Sequence, residues 1–388
     1  MNFILTLGII LVISALSCKM TGKMGMPLLV GFVLIGIFIG NWYEFESMDT
    51  VGNICDFALL MIIFTGGFQT NFAEAKPVLA LSSVLSAAGT VLTACIAGGF
   101  AYFVLGLEFY QAMLLGAIIS PTDAASVFSV LQSKHMSLKN NLNSVLEIES
   151  GSNDPFAYMM TVIFISLAKS PDGGSPLKIL LMLVLSVGIG ALSGVVFSKF
   201  GQFLINKINV DIDGLYAVLL CATAFLTYGA AAQFGGNGFL AAYIGGIIIG
   251  NSKIVYKRFL SRLYSAICMH MQILLFIVLG ILCMPASILE FAGIGLLFAL
   301  FLLFAARPVL MFALMKPFRR KLNEIALVSW GGFRGASSIV FATLLLREGF
   351  DFAPKIFSMI FFVCMLSVIL QGSFIVFIAK KLKLIDDD

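Results

Sequence analysis

Apolar residues fall along this chain in thirteen blocks divided by short polar connections, at about 2–18, 26–41, 53–69, 78–105, 110–131, 143–168, 177–204, 214–233, 237–250, 263–284, 287–314, 324–346 and 355–379. A helix needs about 20 apolar residues to cross a bilayer, so each block is read as one span, and several are long enough to tilt. The longest polar stretches run to about a dozen residues, too short to fold by themselves. The pattern predicts an all-α polytopic membrane protein, a single transmembrane domain over residues 1–388 with no soluble domain. The first block lacks the positive n-region of a signal peptide, and Ala15-Leu16-Ser17-Cys18 makes a poor lipidation box, so it is counted as a span.

Charge placement tests this count. Of the 24 lysines and arginines, eighteen lie in the connections after odd-numbered blocks or in the C-terminal tail, and four (Lys169, Lys178, Arg347 and Lys355) lie on the opposite side. Arg307 and Arg334 fall inside blocks. Basic residues collect on the cytoplasmic side of spans. The expected topology therefore has an odd number of spans across a cell membrane, the N-terminus outside and the C-terminus in the cytoplasm. The connection Asn41–Thr50, expected outside, carries Glu44, Glu46 and Asp49 and no base.

Sixty per cent of the 388 residues are hydrophobic and 11 per cent charged, a balance no soluble globular domain needs. The net charge of +4 is spread over short loops, which argues against nucleic acid and leaves membrane lipid as the general partner. Seven cysteines without a CxxC pair are read as free buried thiols. Most of the phenylalanines are read as lipid-facing bulk, and many glycines as sites of close helix packing.

Blocks five and six contain the wrong residues for plain spans. Block five includes Ser120-Pro121-Thr122-Asp123, and block six includes Glu147-Ile-Glu149-Ser150-Gly151-Ser152-Asn153-Asp154-Pro155. An ionisable residue in the middle of a span costs about 2.5–3.5 kcal/mol by insertion measurements, so such a cluster is expected to bind something. Block twelve is interrupted at Gly331-Gly332-Phe333-Arg334-Gly335-Ala336-Ser337-Ser338. Interrupted spans in corresponding positions of two halves point to a transporter site. The interruptions lie seven blocks apart, an odd offset that fits an inverted repeat. Broken helices expose partial charges at their ends. Asp123 is placed to stabilise helix N-termini, and Arg334 to stabilise C-termini and a neighbouring acid.

On a helix, Ser150 and Asp154 share one face, and Glu149 and Asn153 form the adjacent stripe. Pro155 and Pro121 lack N–H groups, which is expected to release the carbonyls of Gly151 and Ala117. Carboxylate, hydroxyl and carbonyl oxygens together suit a hard cation. His135 and His270 are the only histidines and lie elsewhere, which argues against zinc or haem; no resident cofactor is expected. Desolvation favours the neutral form of a carboxyl and a bound cation favours the charged form, so proton and cation compete for the same oxygens. Asp154 is the chosen shared carboxylate. Asp123 is a second acid, a helix-end partner, or both. Glu149 is expected to pair with Arg334, since a lone buried charge is costly. Glu147 reads equally as a funnel residue or a ligand. Arg307, beside Pro308, reads as an arginine snorkelling to the cytoplasmic surface. Asp56 faces either an external funnel or an interface.

Thr122-Asp123, Glu149-Ser150-x-x-Asn153-Asp154 and Gly332-Phe333-Arg334-Gly335 resemble the NhaP-type sodium(potassium)/proton antiporters of the monovalent cation/proton antiporter superfamily, across the whole chain. The resemblance implies a core bundle of six spans, about 78–168 and 287–379, with two crossed discontinuous helices. It also implies a separate interface domain that forms homodimers, and an elevator-like shift of the core. It makes Asp154 the main cation and proton carboxylate, with Ser150 and the Thr122 backbone as ligands. Asn153 and Asp123 would hold the crossing, and Glu149 would pair with Arg334. An Asn at position 153, where some relatives carry a second Asp, is associated with electroneutral one-for-one exchange. Several members have an acid where Thr65 stands, so Thr65 becomes an accessory position bearing on ion choice. Sodium is the first choice of ion and potassium the second; the stretch Thr122–Ser129 looks closer to members described as potassium/proton exchangers.

Two other classes fit less well. An intramembrane aspartyl hydrolase using Asp123 and Asp154 would need different flanking motifs, and a channel would need a repeated filter ring. A transporter, not an enzyme, is the expectation.

Overall fold

The computed structural model describes residues 8–9, 12–16, 28–43, 45–133, 136–169, 176–208, 212–283 and 285–386. Most of the first block, with Cys18, Lys19 and Lys23, lies outside the described residues, as do Lys134 and His135. The remaining twelve blocks coincide with helices or pairs of helices. In chain order these are α1 (Leu28–Gly40), α2 (Met48–Gln69), α3 (Leu79–Phe103), α4 (Phe109–Ile119), α5 (Ala124–Ser133), α6 (Leu142–Ala168), α7 (Pro176–Lys207) and α8 (Asp213–Gln233). Then come α9 (Gly238–Gly250), α10 (Lys257–Ile281), α11 (Pro285–Phe301), α12 (Arg307–Met315), α13 (Leu322–Trp330), α14 (Ala336–Arg347) and α15 (Ala353–Lys381). Seven described helices are long and apolar enough to cross a bilayer.

Block five is divided into α4 and α5 at Ser120–Asp123, and block twelve into α13 and α14 at Gly331–Gly335. Pro121 does not leave the Ala117 carbonyl free, as its missing N–H suggests: that oxygen accepts from the Ser120 backbone at 3.2 Å and from the Ser120 hydroxyl at 2.7 Å. Block six, by contrast, is one continuous helix, α6, with Pro155 inside it. Block eleven is joined differently. Five residues, Leu302–Ala306, wind as a π-helix between α11 and α12, and the Arg307 N–H closes it on the Leu302 carbonyl. Pro308 explains the placement, because its missing N–H disrupts the regular α ladder at that turn.

The helices pack as two groups. Helices α1, α2 and α7–α10 pack chiefly on one another, as do α3–α6 with α11–α15; between the groups α2 rests on α14 and α9 on α6. Helices α1 and α10 cross closely at Gly36 and Gly280, where a Cβ on either would sit 2.8 Å from the other's Cα. Long apolar side chains of α7, including Leu180, Val184, Leu192 and Phe203, point outward, as a lipid-facing helix requires.

Contacts between helix ends sort them into two sets. At one end Lys169 pairs with Glu348, and Arg347 with Asp49 and Asp56. At the other, strand β1 (Ser137–Leu138) pairs antiparallel with β2 (Ile385–Asp386), Asn140 donates to Glu324 at 2.8 Å, and the Phe72 N–H donates to Asn251 at 2.8 Å. The count of basic residues divides these same positions between the two sides. The six cysteines among the described residues are free.

Candidate functional site

The two interrupted segments meet at their breaks. The Asp123 N–H donates to the Phe333 carbonyl at 2.8 Å, and the Arg334 guanidinium donates to the carbonyls of Ser120 and Pro121 at 2.6 and 2.9 Å. Arg334 thus supplies positive charge at the C-terminal end of α4, where helix carbonyls lack partners. Asp123 does the converse. Its carboxylate accepts from the Ser126 backbone at 3.2 Å and the Ser126 hydroxyl at 2.6 Å, capping α5. The same carboxylate lies directly against Gly335, the N-cap of α14, where a Cβ would collide with it. One acid therefore faces two helix N-termini and one base faces a C-terminus. Arg334 is anchored from behind: its N–H donates to Ser367 at 2.9 Å, and Ser367 bonds Gln371, whose amide donates to the Trp330 carbonyl at 2.7 Å.

Helix α6 runs past this crossing and braces it. The Ser150 hydroxyl donates to the Thr122 carbonyl and accepts from the Ala124 N–H, both at 2.8 Å, bridging the gap between α4 and α5. The Asn153 amide donates to the Thr122 hydroxyl at 2.7 Å. Asp154 turns toward the other broken segment, where its Oδ2 accepts from the Ser337 hydroxyl at 2.8 Å. Asp154 is 7 per cent exposed. Its Oδ1 and the Oδ1 of Asn153 are buried and have no hydrogen-bond partner among the described residues. Two acceptor oxygens on consecutive residues are thus left without donors, which is unusual for buried polar atoms. One residue behind Asp154, the Pro155 carbonyl accepts from Asn237, the N-cap of α9, at 2.6 Å, tying α6 to the other helix group.

The expected pair of Glu149 with Arg334 is not formed. Glu149 Oε1 lies 2.7 Å from Arg307 of α12, and Arg334 is taken up by the α4 carbonyls. Nor does Arg307 snorkel: it is 4 per cent exposed. The π-helical turn before it aims the side chain into the bundle, across Gly332, where a Cβ would sit 2.5 Å from Arg307 Nε. Arg307 and Ser337 are the residues that sequence reasoning missed. The available signal for Arg307 was an Arg-Pro step deep inside an apolar block; for Ser337 it was a hydroxyl at the second position of the helix that follows a break.

Among the described residues no hydrogen bond or ion pair joins the accessory positions to this cluster. Thr65 is buried in α2, and its hydroxyl has no partner among the described residues. Glu147 sits two turns before Asp154, half-buried and within electrostatic reach of Glu74.

Residues 8–381 match the family described as sodium/hydrogen exchanger, transmembrane. The chain belongs to that family. It is 31 per cent identical over 385 residues to the K(+)/H(+) antiporter NhaP of Alkalimonas amylolytica, covering 98 per cent of this chain and 67 per cent of that protein. It is equally 31 per cent identical to the K(+)/H(+) antiporter NhaP2 of Shewanella oneidensis, with the same coverage. A probable Na(+)/H(+) antiporter 2 of Methanocaldococcus jannaschii is 29 per cent identical, covering 90 per cent of this chain and 86 per cent of that one. The solved sodium proton antiporter MjNhaP1 of the same archaeon has this fold, with a TM-score of 0.84, 22 per cent identity and 98 per cent of each chain covered. The exchanger is thus a transporter of the expected NhaP type, with the expected crossed, discontinuous helices.

Proposed function

We propose that this exchanger moves one monovalent cation against one proton by letting the two compete for the Asp154 carboxylate. The observation that carries this reading is the buried, donor-free Oδ1 of Asp154, next to the donor-free Oδ1 of Asn153, at the crossing of two broken helices. Oxygens without donors suit a hard cation, and one of them is a carboxylate that a proton can occupy instead. Asp123 and Arg334 are committed to the helix ends, which leaves Asp154 as the group free to change its occupant. Ser150 and Thr122 hold the broken α4–α5 segment in register beside it and present hydroxyl and carbonyl oxygens to the same pocket. Asn153 is neutral, so exchanging a cation for a proton on Asp154 moves no net charge. Glu149 and Arg307 brace α6 against α12.

Sodium is the first reading of the ion. Potassium is the second, supported by the resemblance of the Thr122–Ser129 stretch to potassium/proton exchangers and by the bacterial relatives named K(+)/H(+) antiporters. The group α3–α6 with α11–α15 acts as the moving core, and α1, α2 and α7–α10 as the interface domain of a homodimer. The C-terminus faces the cytoplasm, as the basic residues require.

The test uses inside-out vesicles with an imposed pH gradient and a pH-sensitive dye. Adding sodium, potassium or lithium collapses the gradient, and the half-saturating concentrations rank the ions. Asp154→Ala abolishes the response and Asp154→Glu leaves a part of it. Undiminished exchange by Asp154→Ala would remove the site assignment.

A further inference from the structure

Asp154 and Ser337 touch, and one turn farther along each helix stand Tyr158 on α6 and Phe341 on α14. Their rings lie 5.7 Å apart. Phe239 of α9 sits 4.9 Å from Tyr158 and 6.5 Å from Phe341, and Tyr228 of α8 sits 5.1 Å from Phe239. This aromatic layer draws on both helix groups and covers Asp154 on the side toward the Lys169–Glu348 end, the predicted outside. Beyond it, Arg347, the last residue of α14, reaches across to α2. Its Nη1 is 3.1 Å from Asp56, and its Nε is 3.5 Å from Asp49. The Arg347 side chain passes close against Gly52, where a Cβ would sit 2.7 Å from Cζ, so α2 has room for it only because that residue is glycine. Asp49 is 79 per cent exposed and adds little, but Asp56 and Arg347 are each about three-quarters buried at their side chains. On the opposite side of Asp154, Glu147, Ser150, Gly151 and Ser152 all retain partial exposure. The aromatic layer and the Arg347–Asp56 pair thus stand between Asp154 and the predicted outer side.

We propose that Asp56 and Arg347 latch this outer closure, and that their ion pair sets the balance between inward-facing and outward-facing exchanger. The inference rests on Asp154 as the exchange site and on motion between the two helix groups. For Asp154 to meet the outside, α6 and α14 must part from α2, α8 and α9, which separates Arg347 from Asp56. The pair therefore stabilises one access state and not the other, which is what a residue must do to shift their populations. Lys169 and Glu348 supply a control: they join α6 to α14 within one group and travel together.

The test measures exchange separately in right-side-out and inside-out vesicles for Asp56→Asn and Arg347→Gln. When the competent state is a minor one, apparent affinity scales with its population. Each variant lowers the half-saturating cation concentration at the outer face by about fivefold and hardly changes it at the inner face. The reversed pair, Asp56→Arg with Arg347→Asp, returns toward the parent, and Lys169→Gln leaves both faces unchanged. A second readout does not depend on transport. Cys55 is fully buried beside the pair. Both single variants expose it to a membrane-impermeant thiol reagent from outside, scored by mass spectrometry; a purely electrostatic effect on the reagent would move the two in opposite directions. Equal changes at both faces, or a Cys55 that stays protected in both variants, overturns the latch. Absence of exchange in the parent protein strikes at the Asp154 reading instead, and leaves the Cys55 result to judge the latch.

Discussion

Arg307 and Glu149 meet at 2.7 Å inside the bundle, with side chains 5 and 2 per cent exposed. Two charges so far from water hold each other in place, and removing one leaves the other stranded. Arg307→Ala is expected to destabilise the protein by about 3–5 kcal/mol. The double variant Arg307→Gln with Glu149→Gln is less damaged than either single one. Thermal unfolding in detergent measures both, and a stable, fully active Arg307→Ala protein would contradict the bracing role.

Ser337 donates the only hydrogen bond that the Asp154 carboxylate accepts among the described residues. Ser337→Ala removes a neutral donor to a charged acceptor, worth about 1.5–3 kcal/mol. The expected result is an altered half-saturating cation concentration, by about tenfold or more, in a protein that folds normally. Ser337→Thr keeps the hydroxyl and restores most of the parent value.

Gly335 has no room for a methyl group, because the Asp123 carboxylate occupies that space. In Gly335→Ala either Asp123 leaves the α14 N-terminus or the chain at the break shifts. Exchange is expected to fall to background, with a stability loss of about 1–3 kcal/mol. Gly66→Ala serves as the comparison, since nothing lies within 4 Å of the added Cβ; it keeps its activity.

Competition for one carboxylate fixes the sign of the pH response. A cation needs Asp154 deprotonated. As pH falls through the titration of Asp154, the half-saturating cation concentration rises by about tenfold per unit; above that range it is flat. The maximal rate at saturating cation changes much less. Initial rates over a matrix of cation concentration and pH decide this, and a maximal rate that falls while the half-saturating concentration stays constant would point to a separate proton site.

Asn153 is the residue that keeps the site at one charge. Asn153→Asp preserves the contact with Thr122, because the threonine hydroxyl can turn and donate. It adds a second carboxylate beside the first. Exchange by this variant is expected to become sensitive to an imposed membrane potential, whereas the parent is indifferent to it.

Much of the site was legible in the linear pattern. Charged and hydroxyl residues inside apolar blocks are costly unless used, so Thr122, Asp123, Ser150, Asn153 and Asp154 stood out, and the structure gathers them around one crossing. The helix-end roles of Asp123 and Arg334 also followed from local chemistry, since broken helices expose partial charges of known sign. The partner of Glu149 did not follow. Two buried arginines were available, and nothing in their spacing said which would reach the acid. The choice was made by the π-helical turn before Arg307 and by the α4 carbonyls, which engage Arg334 first. The Ala117 carbonyl was misjudged for a similar reason: Pro121 takes away one donor, but Ser120 is close enough to provide two.

By itself the sequence determined that the chain crosses a membrane many times, which ends of the spans lie together, where two spans break, and which side chains must be sheltered from lipid. These are consequences of transfer cost, which depends on composition along the chain. Only the tertiary structure decided which sheltered groups touch. It paired Glu149 with Arg307, brought Ser337 to Asp154, and set Arg347 over Asp56 from a helix nearly three hundred residues away. Those contacts depend on the packing and rotation of helices against one another, and hydropathy along a single strand of sequence does not record it.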